Sequence, residues 1–575
     1  QASEVWVDDD WTGYGDCGGH VWGYDAFKTI QSAVTAVAVN GKVNIRSGTY
    51  AEAVSTAKIV NYVGVEDGNG GGLPTVLGSI SINAPTTPDA ASRIENIHFK
   101  SDGVAAACLV LKDVDGGVTV SNCTFNGDGK FKNAINLDAA PNGGNYLTVE
   151  DSVFTNGLYL AINGAAKEAT VRRTLISGTK SGINMQSGAT DLVVEDCDIT
   201  VFVQGATENS YGVRFSSTDA GAGHDLTVTG SRIVVDPNGF EINPARHRAI
   251  WIRSGASGAL QVANNLIDGY VANESTGILD ASGNWWGSAD AADVAGNVVA
   301  GSVDYSPWLA DGTDMDGGAL GFKGNFSKLW VGADSPQVGT VGRIQEGVNL
   351  VATNGTVNVA AGDYSESVAL DKPLTLTGPA TGDKPLLVGM ITGTYTGGLA
   401  TRIENIDFKV NADDKYNLNF VGVTNLTVKG CAFNADGRFM GSPNAVAVQL
   451  DHTCQNIMID ACTFTNGYYI AIQNTASVDG LLVKDCLIDN CKSGVNVQHA
   501  SGEGVTVTNC EINVVAQGVG NDTYCVRFGS KSGLAQNLNI AGCVFTVDRN
   551  GLTPDEGTYF NAVIVREAAL GTLAL

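Results

Sequence analysis

The chain contains one long sequence unit written twice in tandem, and this duplication constrains the fold more than any other feature. The segment RIENIHFK, which begins at Arg93, returns as RIENIDFK at Arg402. FTNGLYLAI at Phe154 returns as FTNGYYIAI at Phe464. The matched segments stay 308 to 314 residues apart, and the offset drifts only where Gly-rich segments intervene. Because β-strand scaffolds tolerate small insertions in their turns, the drift favours two copies of a strand-rich unit.

Each copy contains a shorter repeat with a core like V-x-x-C-x-F. The repeat is a short β-branched strand with period-2 alternation, a bend at a small residue, and a second short strand. Small residues occupy the key column at spacings of 22 to 34 residues: Cys123, Ser152, Thr174, Cys197, Ser231, Asn265, Cys431, Cys462, Cys486, Cys510 and Cys543. A unit of this length cannot bury its apolar face alone, but it can when stacked on its neighbours. The repeat therefore predicts an all-β solenoid, with the column turned inward at a corner.

A short helix is predicted at the start of each copy. AFKTIQSAVTAVAV, which begins at Ala26, and GRIQEGVNLVA, which begins at Gly342, both place apolar residues on one helical face. Each is followed by a strand-and-turn segment, GKVNIRSGTYAEAV in the first copy and GTVNVAAGDYSESV in the second. Because an open solenoid end exposes unpaired strand edges, we interpret both helices as caps.

Three tryptophans lie where the first copy ends, in GNWWGSADAADVAG and VDYSPWLADGTDMDGG. Trp285, Trp286 and Trp308 follow the last coil of copy one and precede the helix of copy two. Two interpretations remain open: a hydrophobic lid over the last coil, which we favour, and an exposed aromatic platform that stacks on sugars.

These motifs together resemble a known family. The helix AF-x-TIQ, the segment V-x-I-x-x-GTY-x-E-x-V, the iterated coils and the ending GNWWG…VDYSPWL resemble right-handed parallel β-helix repeat proteins of the pectin-lyase-like superfamily, common among secreted bacterial proteins. The resemblance covers nearly the whole chain. It implies two tandem right-handed parallel β-helices, but it leaves function open, because the superfamily includes lyases, hydrolases, esterases, adhesins and structural surface proteins.

The predicted domains are residues 1–310, an acidic Gly-rich linker at 311–328, and residues 329–575. The last residues, VIVREAALGTLAL, match IWIRSGASGALQV of the first copy. Copy two therefore stops before its own lid, and we expect a longer parent polypeptide or a partner that covers the last coil.

Seven of the twelve cysteines belong to the predicted column. Stacked Cys side chains there act as small apolar residues, and their parallel Cβ vectors disfavour bridging. We therefore expect reduced, structural thiols. The remaining five could include one or two disulfides, whose pairing the sequence leaves open: Cys17, Cys108, Cys454, Cys491 and Cys525.

The charge balance narrows the partners. Asp and Glu number 60 against 34 Lys and Arg, a net charge of −26. This charge repels nucleic acid and anionic membranes and favours cation binding. No apolar run is long enough to span a membrane. A start at Gln1 fits a secreted protein whose signal has been removed, and equally a trimmed sequence.

The sequence carries no recognisable catalytic motif. The NTD, GHG and RIK motifs of polygalacturonase-like hydrolases do not occur, and the six histidines have no metal-ligand spacing. What remains is a set of polar residues kept in both copies, which serve either in turns or in one glycan-binding groove per copy. These glycan-binding candidates are Asp128, Lys130, Tyr159, Asn184, Gln186 and Arg214, with Asp436, Arg438, Tyr469, Asn496, Gln498 and Arg527.

Two acidic loops are candidate metal sites, and the first is VDDDW at Asp8–Asp10, which precedes the first helix. Asp311, Asp314 and Asp316 lie close together in a Gly-rich segment between the copies. Carboxylates in such a loop suit Ca²⁺, which takes oxygen ligands, although a solvated acidic turn looks the same in sequence. No cofactor is required by any motif.

The expected function is that of a secreted or cell-surface structural protein, an adhesin, surface-layer or fibre module. It would bind a cell-surface glycan or another copy of itself along its faces. The alternative is a polysaccharide lyase or glycoside hydrolase of the same superfamily.

Overall fold

The protein is a pair of parallel β-helices, one in each of two compact units. The computed structural model describes residues 1–15, 17–66, 71–83, 91–114, 116–130, 132–138, 145–186, 190–215, 224–395, 398–411, 414–439, 444–518, 522–530, 536–553, 558–566 and 572–574. Unit 1 comprises Gln1–Asn325 and unit 2 comprises Phe326–Leu575. The strands of each unit form three parallel ladders, to which each coil adds one strand apiece. The predicted all-β class is confirmed.

The first ladder of unit 1 contains Ala26–Phe27, Glu4–Val7, Lys42–Arg46, Asn61–Val65, Ser92–Glu95, Val118–Ser121, Asn145–Glu150, Ala166–Arg172, Asp191–Glu195, Asp225–Thr229, Leu260–Ala263, Leu279–Asp280 and Val303–Asp304. The long strands Thr49–Thr56 and Thr75–Asn83 begin both other ladders. The second ladder continues with His98–Lys100, Thr124–Asn126, Val153–Thr155, Leu175–Thr179, Asp198–Phe202, Arg232–Asp236 and Leu266–Asp268. The third ladder continues with Ala107–Lys112, Asn133–Leu137, Leu160–Gly164, Ser181–Met185, Ser210–Phe215, His247–Ile252, Tyr270–Asn273 and Val298–Ala300.

Unit 2 repeats this arrangement. Its first ladder contains Lys328–Val331, Thr356–Val359, Thr375–Thr377, Thr401–Glu404, Leu426–Lys429, Cys454–Asp460, Val478–Lys484, Val495–Thr508, Leu538–Ala541 and Leu573–Ala574. Its second contains Gly362–Tyr364, Pro385–Val388, Asp407–Lys409, Ala432–Asn434, Thr463–Thr465, Leu487–Cys491, Glu511–Val515 and Val544–Asp548. Its third contains Val368–Leu370, Ile391–Gly393, Tyr416–Val421, Val446–Asp451, Ile470–Asn474, the start of Val495–Thr508, Thr523–Ser530 and Phe560–Val565.

Identical side chains stack along the interior because neighbouring strands pair in register. The rings of Phe99, Phe125 and Phe154 lie 4.7 Å apart between centroids and nearly parallel. Their counterparts in unit 2 are Phe408, Phe433 and Phe464, whose centroids are 4.8 Å apart. This spacing equals the roughly 4.8 Å between hydrogen-bonded strands, so each coil contributes one ring to a continuous buried column.

The small-residue column lies at the corner between the first and second ladders, as predicted. Ten of its eleven members are buried, the exception being the half-buried Cys543. The preceding residue adopts a left-handed conformation, for example Asn122 with φ 50° and Asn509 with φ 53°, which explains the Asn, Asp and Gly found there. Column hydroxyls close the corner: Ser231 Oγ donates to Thr229 O over 3.0 Å.

All twelve cysteines are unpaired thiols. The seven cysteines of the column are free in the structure, and so are the five outside it. Burial raises the pKa of both Cys108 and Cys123 to about 12. Because the thiolate is the reactive form, these buried thiols have a structural role.

The helices Ile30–Ala36 and Arg343–Leu350 lie near the start of the two units, as predicted. A glutamate from the following strand caps each one. Glu52 accepts the backbone N–H groups of Ile30 and Gln31 over 2.9 and 3.0 Å. Glu366 accepts those of Ile344 and Gln345 over 3.0 Å each. The Glu of the GTY-x-E motif therefore satisfies the free amides at a helix N-terminus.

The tryptophan segment closes unit 1, as the favoured interpretation predicted. Trp286 and Trp308 are 1% and 0% exposed, and the Trp308 indole N–H donates to Ala289 O over 3.2 Å. The helix Ala291–Gly296 and the strand Trp308–Leu309 belong to this lid. The buried rings of Trp286 and Trp308 cannot stack on a sugar, whereas Trp285, the third predicted lid residue, is only partly buried.

Residues 311–325 belong to unit 1 rather than to a linker. Phe322 N donates to Gly230 O over 2.7 Å, and Gly321 N donates to Asp198 Oδ1 over 3.2 Å. The segment reads as a linker because it is rich in Gly and Asp, but these backbone hydrogen bonds hold it against the coils. None of the helices in the described residues is long and apolar enough to cross a membrane.

Candidate functional site

Each unit carries a shallow polar groove on its third ladder, at matched positions. The groove of unit 1, groove 1, has a volume of about 360 Å³, and groove 2 in unit 2 has about 470 Å³. Six lining residues of groove 1 have identical counterparts in groove 2: Tyr159 and Tyr469, Lys180 and Lys492, Asn184 and Asn496, Gln186 and Gln498, Tyr211 and Tyr524, Arg214 and Arg527. The same side chains therefore converge twice in one chain.

A row of amides leading to an arginine forms the floor of groove 1. Asn136, Asn163, Asn184 and Arg214 occupy equivalent positions on four successive strands. Asn163 Nδ2 donates to Asn136 Oδ1 over 2.8 Å, and Asn184 Nδ2 donates to Asn163 Oδ1 over 2.7 Å. Stacking in register creates this row, because every coil presents the same position 21 to 30 residues later.

Groove 2 has the same row with glutamines in two places. Its members are Asn419, Gln449, Gln473, Asn496 and Arg527. The side-chain oxygens of Asn184 and Asn496 are buried and accept no hydrogen bond within the described part of the chain. Since buried polar atoms are normally paired, the same position in both units retains unused hydrogen-bonding capacity.

Lys180 in groove 1 is held as a cation. Its Nζ lies 2.7 Å from Glu208 Oε2, donates to Tyr159 Oη over 3.2 Å and sits 4.3 Å from the centre of the Tyr159 ring. Burial disfavours the charged amine, but the hydrogen bonds with Glu208 and Tyr159 outweigh it and hold the pKa of Lys180 above its ordinary value.

Lys492 in groove 2 has a different environment. It is 3% exposed, its Nζ donates to the backbone oxygen of Asp522 over 2.8 Å, and it lies 4.2 Å from the centre of the Tyr469 ring. Across the described residues, its ammonium has no carboxylate within ion-pair distance. Burial lowers the pKa of Lys492 to about 8, against the attraction of Asp522 and assisted by the charge of Arg527.

Arg214 and Arg527 are the second cations of the two grooves. Each guanidinium lies 5.6 Å from the ring centre of a tyrosine, Tyr211 for Arg214 and Tyr524 for Arg527. Neither arginine forms an ion pair with any carboxylate in the described ranges. A guanidinium that rests on an aromatic ring and lacks a carboxylate can accept an anionic group from a ligand.

Eight of the twelve glycan-binding candidates meet in these grooves: Tyr159, Asn184, Gln186, Arg214, Tyr469, Asn496, Gln498 and Arg527. Asp128, Lys130, Asp436 and Arg438 do not line them. They lie in a turn between the second and third ladders, in which Asp128 and Asp436 have φ of 48° and 54°.

The turn residues find partners among their neighbours. Asp128 pairs with Lys100 over 3.4 Å, and Asp436 pairs with Lys409 over 3.1 Å. Arg438 donates to the backbone oxygen of Asn411 over 2.5 Å. For these four residues, turn chemistry explains why both copies keep the motif.

The sequence prediction missed Lys180, Tyr211, Lys492 and Tyr524. The two lysines were visible as the first residue of the repeated KSG segments, and the tyrosines immediately precede the repeated G-V-R-F and C-V-R-F segments. The fact that each of these residues is identical in the two copies could therefore have identified all four as candidates.

Asp311, Asp314 and Asp316 do not form a cluster of converging carboxylates. Asp314 pairs with Arg232 over 3.4 Å and accepts the backbone N–H groups of Asp316 and Lys323 over 3.1 Å each. In the described ranges, the acidic group whose ligand atoms lie within 4.8 Å of one another is Asp8–Asp10. There Asp8 pairs with Arg46 over 3.3 Å, and Asp9 accepts the N–H of Thr49 over 3.1 Å. Calcium binding by the 311–316 loop remains a prediction.

The chain is similar in structure to a solved polysaccharide lyase. No family model matches it, and no curated protein matches it. A solved structure of a mutant of the PL6 family alginate lyase AlyGC is similar at a TM-score of 0.27 and 10% sequence identity, covering 95% of this chain and 99% of that chain. Function must therefore be inferred from the grooves themselves.

Proposed function

We propose that the protein is a secreted or cell-surface β-helix that binds an acidic glycan in two equivalent grooves. The observation that supports this most strongly is the recurrence of Lys, Tyr, Asn, Gln, Tyr and Arg at matched positions of both units. Turn geometry alone does not require these side chains to meet on one face, whereas a shared ligand does.

The chemistry of the grooves suits a carboxylated sugar. A guanidinium without a carboxylate partner binds an acidic group through paired hydrogen bonds. A row of amides offers donors and acceptors to hydroxyl groups. Tyrosine rings provide flat apolar surface with a polar edge. A neutral ligand would leave Arg214 and Arg527 without a charge partner.

Two copies of one groove favour a binding role over a single catalytic centre. Two linked sites raise the overall affinity for a polymer that spans both, without any additional contact. A structural or adhesive module at a polysaccharide-rich surface would use this property. We propose this role without a requirement for calcium, nucleic acid or a membrane span.

Affinity electrophoresis through gels that contain polygalacturonate or neutral dextran tests the proposal. The full chain should be retarded by polygalacturonate and not by dextran, with less retardation at high salt. The double variant R214Q/R527Q should lose the retardation. Its matched control is R93Q/R402Q, which removes two ion-paired arginines at equivalent positions outside the grooves. Equal retardation of both double variants would contradict the proposal.

A second function, a polysaccharide lyase acting in groove 2, is favoured by the lowered pKa of Lys492. A lysine with a pKa near 8 is partly neutral at physiological pH and can serve as a general base. In β-elimination, the amine would take the proton from the carbon next to the uronate carboxylate. The glycosidic C–O bond would break as a C=C bond forms, and the departing oxygen would take up the proton held by Lys492, which restores the neutral amine. Arg527 would stabilise the charge that develops on the carboxylate.

The lyase candidate has its own readout. Incubation of the chain with polyuronides should produce the ultraviolet absorbance of an unsaturated uronate, and K492M should abolish it while K180M leaves it intact. Binding without any absorbance change would leave groove 2 as a binding site only.

A further inference from the structure

A cation-rich aromatic cluster continues groove 1 by one coil. Trp251 occupies the position directly after Arg214 in the groove-floor row, on the next strand of the third ladder. Three guanidiniums surround its ring: Arg248 lies 4.3 Å from the ring centre, Arg214 4.8 Å and Arg253 5.1 Å. We call Trp251 and these three arginines the Trp251 cluster.

One carboxylate positions the cluster. Glu274 Oε1 accepts hydrogen bonds from Arg248 Nη1 over 3.0 Å and from the Trp251 indole N–H over 2.9 Å. Its other oxygen lies 3.1 Å from Arg253 Nε. Burial opposes ionisation of Glu274, but the hydrogen bonds from Trp251 and Arg248 and the charge of Arg253 outweigh it, so the pKa of Glu274 lies below its ordinary value.

The charges in the cluster do not balance. Glu274 is the carboxylate within ion-pair distance of Arg248 and Arg253, and within the described residues Arg214 pairs with none. Three cations thus face one anion, in a chain whose net charge is −26. Holding like charges around one ring costs free energy unless a further anion binds there.

The two arginines that pair with Glu274 differ in their exposure to solvent. The Arg253 side chain is 22% exposed and the Arg248 side chain 9%, so Arg253 is the more accessible of the two.

Within the described residues of unit 2, the strand that follows groove 2 carries different side chains at these positions. The counterpart of Trp251, paired with Arg527, is Ile564, and the counterpart of Arg248, paired with Tyr524, is Asn561. Besides Arg214, which corresponds to Arg527, Arg253 has an arginine counterpart, Arg566. The backbone N–H of Arg566 donates to the oxygen of Phe528, as that of Arg253 donates to the oxygen of Phe215. The two grooves therefore share one lysine and one arginine, but they differ on the strand that follows that arginine.

We propose that the Trp251 cluster is a second anion subsite, through which groove 1 binds a glycan bearing two acidic groups, while groove 2 binds one. This subsite rests on the proposed function. Arg214 and the buried Lys180 belong to the part of groove 1 that groove 2 also has. Arg248 and Arg253, which lie against the Trp251 ring, bind the second carboxylate or sulfate ester. Groove 1 would then be the more selective of the two sites for the same polymer, and groove 2 the less selective.

Titration calorimetry on the full chain in the R527Q background isolates groove 1. The probes are galacturonate oligomers with one, two or three free carboxylates, compared with the same oligomers as methyl esters. A second carboxylate should tighten binding at least tenfold, because a charge-assisted hydrogen bond contributes about 1.5 kcal/mol or more and 1.4 kcal/mol is a factor of ten. R253Q should remove this gain and leave the single-carboxylate affinity unchanged.

The control is the mirror experiment in groove 2. In the R214Q background a second carboxylate should give no gain, and R566Q should change nothing. W251I, which copies the residue of groove 2, should act like R253Q, whereas W251F keeps an aromatic ring and should retain most of the gain. Loss of affinity for single- and double-carboxylate probes alike in R253Q, or an equal gain in both grooves, would overturn the second subsite. Absence of any binding to the unmodified chain would overturn the proposed function itself, and the subsite with it.

Discussion

Replacement of Lys492 by methionine should stabilise unit 2 at neutral pH, although it removes a hydrogen bond. The pKa of Lys492 falls from the ordinary 10.5 to about 8 in the folded state. A difference of roughly 2.5 pKa units corresponds to about 3 kcal/mol that burial of the ammonium costs at neutral pH. Methionine has a similar shape and no charge, but it cannot donate to the backbone oxygen of Asp522, a bond of about 1 kcal/mol. The net expected gain is therefore about 2 kcal/mol.

The pH dependence has a definite sign. Because the folded pKa of Lys492 lies below the unfolded one, the unfolded chain binds more protons between about pH 8 and pH 10.5. The stability of the unmodified protein should therefore rise with pH across this window, relative to K492M. The advantage of K492M should be full below about pH 8 and should shrink towards pH 10.5.

Lys180 is the matched control for this prediction. Its cation is paired with Glu208, whose side chain is 56% exposed, so K180M loses a partly solvated ion pair. It should destabilise unit 1 slightly, in the opposite direction to K492M, because a solvent-exposed ion pair contributes little to stability. Denaturant unfolding at pH 6.5, 8 and 9.5, followed by amide hydrogen exchange in Thr523–Ser530 and Ser210–Phe215, separates the two units. Destabilisation of unit 2 by K492M at pH 6.5, or a gain that does not change with pH, would refute the reasoning.

Three further changes test the fold by the same unfolding measurements. E52A should cost about 1–2 kcal/mol, since it leaves the amides of Ile30 and Gln31 without their cap; an unchanged midpoint would contradict the cap. F433A should cost about 3–5 kcal/mol by opening a cavity in the stacked column of unit 2, and a cost below 1 kcal/mol would count against a closely packed interior. N265A should cost about 2–3 kcal/mol, because the buried amide donates to both Val228 and Ala263 over 2.9 Å; a neutral result would argue against this corner.

The features that the sequence predicted correctly are those fixed by local repetition. The column from Cys123 to Cys543 recurs in every coil and the cap helix recurs in both copies, and burial of one face follows from stacking alone. The tryptophan lid followed from its place after the last coil. The domain boundary was harder to predict from the sequence, because residues 311–325 have the composition of a linker. They are attached to unit 1 by tertiary hydrogen bonds, such as that from Phe322 N to Gly230 O.

The grooves could be predicted only in part, for a physical reason. Arg214 and Asn184 sit on strands, where register aligns their positions automatically. Lys180 lies in a turn, and its partner Glu208 lies in another turn 28 residues later, so no periodicity brings them together. Asp128 and Asp436 were candidates on the same signal, but they lie in left-handed turns outside the grooves. Repetition between copies marks a residue as retained, but it does not separate a turn from a binding surface.

The stoichiometry of binding tests the central claim most directly. Titration calorimetry of the full chain with a short galacturonate oligomer should give two binding events per chain. R214Q and R527Q should each remove one event, and R93Q should remove none. A single event that survives both groove variants, or no binding of acidic oligomers at all, would contradict the account of two matched glycan-binding grooves.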